Sequence, residues 1–199
     1  MIPRQETEEL VAWALKWLKQ QHLNTPTVAD IGLGSGCIAI ALKYKRRDIQ
    51  LFGLEKSEAA LQTAIENARN IFSSPDVHFY SGDILNSNDW DLFPPLNLVM
   101  SNPPYIPRSE HTLMPEHVLA WEPAQALFVE HTDSLLFYRA IANFALAKLK
   151  PGGALFFECN EFNAREVATM LQNAGFITIE LRKDLSGADR MLKAQISLD

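Results

Sequence analysis

The sequence predicts an α/β fold: a doubly wound, mostly parallel sheet of seven strands that closes with a C-terminal antiparallel edge hairpin. Three observations carry this expectation. Short apolar runs alternate with segments of helical period along almost all of the 199 residues, the pattern of successive strand–helix–strand units. A glycine turn, Gly32-Leu33-Gly34-Ser35-Gly36, joins the first strand to the first crossover helix. The last two apolar runs have no helix between them, so they should pair antiparallel at one edge.

The elements follow in order. Glu6 to Gln20 places Leu10, Val11, Ala14, Leu15 and Leu18 on one helical face. Val28 to Ile31 is a strand, and after the glycine turn Cys37 to Lys45 is a helix. Leu51 to Leu54 is the second strand, and Ser57 caps a helix running to about Ile71. Val77 to Tyr80 and Leu96 to Met100 are the third and fourth strands. Residues Ile106 to Asp133 carry prolines, histidines and acids without a period, and read as a long loop with short helical pieces. Leu135 to Lys148 is a helix; Pro151-Gly152-Gly153 is a turn into the strand Ala154 to Phe157. Ala164 to Ala174 is a helix closed by Gly175. Phe176 to Leu181 and Met191 to Ile196 are the final strands. No internal repeat or second domain is visible, so residues 1–199 are expected to form one domain.

Composition narrows the function classes. Hydrophobic residues make up 47% and charged residues 21%, ordinary for a globular chain. No apolar window is long enough for a membrane span, and the charged start MIPRQETEEL does not read as a secretory signal. The two cysteines, Cys37 and Cys159, lie in apolar runs and are expected to be buried thiols in a reducing cytoplasm. The net charge of −6 counts against a partner gripped through nucleic-acid phosphates. The basic run Lys43 to Arg47 ends a helix, where cations suit the dipole.

The candidate site lies at the carboxyl ends of the strands, where open α/β sheets bind ligands. Gly32, Gly34 and Gly36 allow positive φ and close approach of a ligand to the backbone. Their G-x-G-x-G spacing fits the dinucleotide G-x-G-x-x-G fingerprint poorly. Glu55 ends the second strand, where a carboxylate can accept both hydroxyls of a ribose. Asp83 follows the third strand and can accept from an exocyclic adenine amine, with Ile84 against the ring; a plain turn aspartate after Gly82 is the alternative. The fourth strand runs into Ser101-Asn102-Pro103-Pro104-Tyr105. Proline has no N–H for a sheet ladder, so the chain leaves the sheet at Asn102 and is stiffened as it leaves.

Taken in this order, "ADIGLGSGCIAIAL", Glu55, "GDIL" and "SNPPYIP" resemble a class I S-adenosylmethionine-dependent methyltransferase with a Rossmann-like sheet. The NPPY tetrapeptide resembles that of enzymes methylating a planar nitrogen. Three further stretches resemble one family: "IPRQETEEL" its IPRPETE signature, "AWEPAQALF" its YEP-x-x-AL segment and "KDLSGADRM" its closing D-x-x-G-x-x-R. That family is the protein-(glutamine-N5) methyltransferases that modify peptide chain release factors, and the likeness is to their catalytic domain. It spans Ile2 to Met191. Gln5 stands where the signature has proline, and Glu55 where aspartate is commoner. The family's helical N-terminal domain would precede this segment; the chain is expected to lack it, which bears on substrate grip more than on chemistry.

The resemblance implies S-adenosyl-L-methionine as cofactor, S-adenosyl-L-homocysteine as product, and the Gly-Gly-Gln loop of a release factor as substrate. It implies a cofactor site along Asp30, Gly32, Leu33, Gly34, Ser35, Gly36, Glu55, Asp83, Ile84 and Asn102, and catalysis at Asn102, Pro103, Pro104 and Tyr105. The Asn102 side-chain oxygen would accept one N–H of the glutamine amide, the Pro103 carbonyl the other, and Tyr105 would stack on the flat amide. Arg4 and Thr7 would cover the cofactor, and Trp121 with Glu122-Pro123 would wall the substrate channel. No metal is implied. His111 and His117 match no ligand spacing, and Ser35 is not in a G-x-S-x-G elbow. The other readings are an adenine or cytosine N-methyltransferase, a non-catalytic cofactor-binding module and a nicotinamide oxidoreductase. A cytoplasmic monomer without membrane contact is expected.

Overall fold

A computed structural model describes residues 5–72, 76–104, 106–107, 128–129 and 133–198. The main elements are α1 (Gln5–Gln20), β1 (Thr27–Ile31), α2 (Cys37–Lys45), β2 (Gln50–Glu55), α3 (Glu58–Ile71), β3 (Val77–Ser81) and β4 (Leu96–Ser101). Two short strands, β5 (Ile106–Pro107) and β6 (Phe128–Val129), pair parallel to each other. They are followed by α4 (Leu136–Lys148), β7 (Leu149–Glu158), α5 (Ala164–Asn173), β8 (Ile177–Lys183) and β9 (Asp189–Gln195).

Local chemistry sets most boundaries. The Ser57 Oγ accepts the Ala60 N–H and caps α3. Gly175, at φ 103°, closes the end of α5. The seven-stranded sheet has the order β3-β2-β1-β4-β7-β9-β8. β1, β2, β3, β4 and β7 run parallel, and β9 pairs antiparallel with both β7 and β8. The hairpin expected at one edge is therefore present, with the last strand on its inner side. The edge strand β8 carries Glu180 and Arg182, which pair with each other, and such charges blunt an open edge.

Side-chain alternation divides the core in two. Val28, Leu51, Leu98 and Phe156 pack toward α1 and α2, with Trp13 and Trp17 edge-on to Phe156 at 5.1 and 6.1 Å. Their neighbours Ala29, Phe52, Val99 and Phe157 pack toward α4 and α5. Both faces are covered, which is why the strands read as unbroken apolar runs. One local expectation changes. Pro151-Gly152-Gly153 is not a turn ahead of a strand but a bulge inside β7. Leu149 already pairs with Leu96, the ladder resumes at Ala154 against Leu98, and the intervening residues loop past Asn97. The Gly152 N–H donates to the Ser197 carbonyl at 2.7 Å, and Gly153 accepts from Ile196. A Cβ at Gly153 would stand 2.8 Å from the Lys150 carbonyl oxygen. Most of the long loop from Ile106 to Asp133 lies outside the described residues.

Candidate active site

The strand order reverses between β1 and β4, with β2 and β3 laid down on one side and β4 on the other. A crevice opens at this switch point, at the carboxyl ends of the strands. Ser101 ties its two walls together, its Oγ donating to the Ile31 carbonyl at 2.6 Å.

The glycine turn forms one wall. Gly32 and Leu33 N–H groups both donate to the Leu54 carbonyl, at 2.9 and 3.1 Å, which anchors the turn on β2. Gly32 and Gly34 have φ of 75° and 57°, backbone that side-chain-bearing residues rarely adopt. A Cβ at Gly32 would meet nothing within 4 Å, so this backbone faces open space. Gly36 serves packing instead: a Cβ there would stand 3.2 Å from Ala64 Cβ on α3.

Glu55 braces the turn. Its Oε2 accepts the Gly34 N–H and its Oε1 the Ser57 N–H, both at 2.8 Å. A carboxylate has about four acceptor positions, so each oxygen keeps a lone pair for the crevice. Asp83 stands after β3, where its Oδ1 accepts the Leu85 N–H and its Oδ2 pairs with the Lys56 ammonium at 2.8 Å. Burial works to raise the Asp83 carboxyl. Lys56 and the Leu85 N–H outweigh it and hold the group below the ordinary aspartate range.

Asp30 has a different place from the one expected. It is 1% exposed, behind the turn, and its Oδ2 accepts the Ala39 N–H in the first turn of α2. It thus supplies a side-chain acceptor to a helix start that Gly36 cannot cap with a side chain. Its Oδ1 is buried and has no hydrogen-bond partner among the described residues. Burial pushes its carboxyl well up, against the Ala39 N–H and helped by the nearby charge of Glu55.

The structure therefore brings Gly32, Gly34, Glu55, Asp83, Ile84, Asn102, Pro103 and Pro104 to one crevice. Leu33 turns into the core beside α1 and α2. The Ser35 carbonyl accepts from Asn67 on α3. Gly36 is buried, so Leu33, Ser35, Gly36 and Asp30 support the crevice from behind. Tyr105, Arg4, His111, His117, Trp121, Glu122 and Pro123 lie outside the described residues. Thr7 does not face the crevice; its hydroxyl donates to Glu158. Lys56, Ser57 and Ala60 at the start of α3, and Phe137 and Ile141 on α4, line it without having been anticipated. Lys56 and Ser57 were legible as the residues that follow Glu55. Phe137 and Ile141 carried only an i, i+4 helical spacing, and the docking of α4 decides that they face a ligand. Among the described residues, no group of three acids, histidines or cysteines is placed to hold a metal ion, and no helix is long and apolar enough to cross a membrane.

Comparison with known proteins agrees with this geometry. The model of the methyltransferase small domain family matches residues 12–129. A release factor glutamine methyltransferase of Flavobacterium psychrophilum is 41% identical over 194 residues, covering 97% of this chain and 67% of that protein. One of Bacteroides thetaiotaomicron is 37% identical over 199 residues, covering 98% of this chain and 67% of that protein. The chain thus spans about two thirds of the length of these relatives. The crystal structure of a release factor-specific protein-(glutamine-N5) methyltransferase from Alicyclobacillus acidocaldarius superimposes with a TM-score of 0.61. It is 26% identical and matches 98% of this chain and 94% of its own. A methyltransferase from Pyrococcus furiosus, at 15% identity and a TM-score of 0.64 over 94% of this chain and 83% of its own, shares the fold. On this similarity and on the site it accompanies, the chain belongs to the release factor glutamine methyltransferase family.

Proposed function

We propose that the protein transfers a methyl group from S-adenosyl-L-methionine to the side-chain amide nitrogen of a glutamine in a peptide chain release factor. The observation that carries the reading is the shared crevice: Asn102, Pro103 and Pro104 line the same cavity as Gly32, Gly34, Glu55 and Asp83. A nucleoside-binding half and a planar-nitrogen-binding half meet at one switch point.

The residues suit the cofactor. Open backbone at Gly32 admits its amino-acid portion, the remaining Glu55 lone pairs accept ribose hydroxyls, and Asp83 accepts an adenine amine against Ile84. When bound, S-adenosylmethionine would supply an electrophilic methyl group on a cationic sulfur; the nitrogen–methyl bond would replace the sulfur–methyl bond, S-adenosyl-L-homocysteine would leave as a neutral thioether, and the nitrogen would release one of its two protons. The protein's part is to present the nitrogen. An amide nitrogen is a weak nucleophile because its lone pair is delocalised into the carbonyl. The Asn102 Oδ1 accepts one of its N–H groups and the Pro103 carbonyl the other, which favours the charge that develops on the nitrogen. The prolines hold φ near −65°, so these acceptors are already in place when the amide arrives and little orientational freedom remains to be lost. Such a substrate places the protein in the cytoplasm.

The test is a competition in one tube: protein, methyl-labelled cofactor, unmodified bacterial release factor and unmodified nucleic acid. Label on the release-factor glutamine is expected. Label on nucleic acid would move the activity to a base amine, and no transfer to either would remove the proposed substrate class.

A further inference from the structure

Where α1 meets the end of β7, two side chains are buried, polar and joined. Thr7, in the first turn of α1, is 5% exposed, and Glu158, the last residue of β7, is 3% exposed. The Thr7 hydroxyl donates to the Glu158 Oε2 at 2.7 Å across 151 residues of sequence.

Their position gives the pair its meaning. β7 runs parallel to β4 with Phe157 opposite Ser101. That is the last pair of the ladder, and Glu158 and Asn102 are the next residue along each chain. The alternation that sends Phe156 to the α1 face sends Glu158 there too, where Thr7 meets it. The Glu158 main-chain carbonyl also accepts from the Tyr138 hydroxyl of α4, so the end of β7 is held from both faces of the sheet.

Stability alone does not call for a carboxylate here. α1 is already fastened to β7 by Trp13 and Trp17 on Phe156. Burying an acid costs free energy that an apolar residue would not, and such expense gathers at functional sites. We propose that Glu158 is a positioning residue. Its hydrogen bond with Thr7 fixes the end of β7 against the first turn of α1, and the end of β7 in turn fixes the adjacent Asn102-Pro103 backbone that receives the amide. The inference rests on the methyl-transfer reading above, and α1 enters the reaction through it without touching the reactants.

The experiment uses Thr7→Val, Glu158→Leu, Glu158→Gln and the Thr7→Val/Glu158→Leu double variant. Valine keeps the shape of threonine without its hydroxyl, and glutamine keeps an oxygen that can accept from Thr7. Three quantities are measured: kcat with the release factor, affinity for S-adenosylhomocysteine by calorimetry, and the Asn102 carboxamide resonance in nitrogen-15 spectra. Thr7→Val and Glu158→Leu are expected to lower kcat roughly ten- to a hundredfold, as small misplacements of reacting groups do. Both should shift the Asn102 resonance and leave the affinity within about twofold. The double variant should be no worse than Glu158→Leu, since both changes break one hydrogen bond. Glu158→Gln should keep most of the turnover and the native resonance. An unmoved resonance and normal kcat in Thr7→Val would overturn the proposal. So would Glu158→Gln behaving like Glu158→Leu, or an affinity that falls in step with kcat. A wild-type protein that methylates no release factor would defeat the functional reading. The resonance in Thr7→Val and Glu158→Gln would still decide the positioning role.

Discussion

Replacing Glu55 by glutamine keeps the side chain's size and removes its charge, and the structure says this is not a mild change. Both carboxylate oxygens already accept backbone N–H groups, from Gly34 and from Ser57, each at 2.8 Å. A glutamine has one oxygen, so it satisfies one of these donors and points its NH2 at the other. The brace between the glycine turn and α3 opens on one side. The two proposed ribose hydroxyl bonds also lose a charged acceptor, at about 1.5 kcal/mol each. Together that is about 3 kcal/mol, or about a hundredfold in Kd for S-adenosylhomocysteine. Glu55 is only half-buried, so the global cost should be small, about 1 kcal/mol, and Tm should fall by about 2–4 °C. Isothermal calorimetry and a thermal melt on the same samples separate the two effects. Binding within threefold of wild type would refute both the brace and the ribose assignment.

Three further outcomes follow from the same geometry. Asn102→Ala should abolish turnover while affinity for S-adenosylhomocysteine largely survives; near-normal turnover would remove Asn102 from the mechanism. Gly36→Ala meets Ile40 and Ala64 and is strained at φ 80°, so a melt should show a loss of about 1–3 kcal/mol. Gly32→Ala, at φ 75°, carries the same backbone strain but meets no protein atom, so it should destabilise less than Gly36→Ala and weaken cofactor affinity more; the reverse ranking would contradict the roles given to these glycines. The Asp184 carboxyl is pushed down to about 2, chiefly by the Ser186 hydroxyl, with help from the Ala188 N–H and Arg190 against some burial. Its folded value lies below the unfolded aspartate value of about 3.9. Its stabilisation is therefore complete above that value and is lost as pH falls from about 4 toward 2. The gap in Tm between wild type and Asp184→Asn should narrow over that window, and a gap independent of pH would count against the assignment.

Some functional meaning changed once side chains were in place. The D-x-x-G-x-x-R stretch, Asp184 to Arg190, spans the turn between β8 and β9. The Asp184 carboxylate accepts from the Ser186 and Ala188 N–H groups and pairs with Arg190, while Gly187 turns the chain at φ 89°. Arg190 also donates to the Cys159 carbonyl, tying this turn to the end of β7. Spacing alone marked the three residues; their mutual contacts explain the spacing.

What the chain order determined by itself was whatever depends on neighbours in sequence. Apolar runs separated by helical periods decided an α/β sheet, because each run must bury both faces. Ser57 and Gly175 marked helix ends through single capping interactions. Gly32 and Gly34 marked a turn that only glycine backbone makes readily, and Asn102-Pro103-Pro104 marked an exit from the sheet. Tertiary structure decided everything that depends on residues brought together from far apart. Asp30 was expected along the cofactor and is buried behind the turn, where it accepts the Ala39 N–H of α2, a contact that exists only once α2 packs on β1. Phe137 and Ile141 became part of the crevice only when α4 docked. The Pro-Gly-Gly segment stayed within its strand because the chain after β9 offered it hydrogen bonds, at Ser197 and Ile196. Thr7 and Glu158, 151 residues apart, carry no pattern that links them. Their pairing exists because a helix from the start of the chain packs over β7, with Trp13 and Trp17 on Phe156.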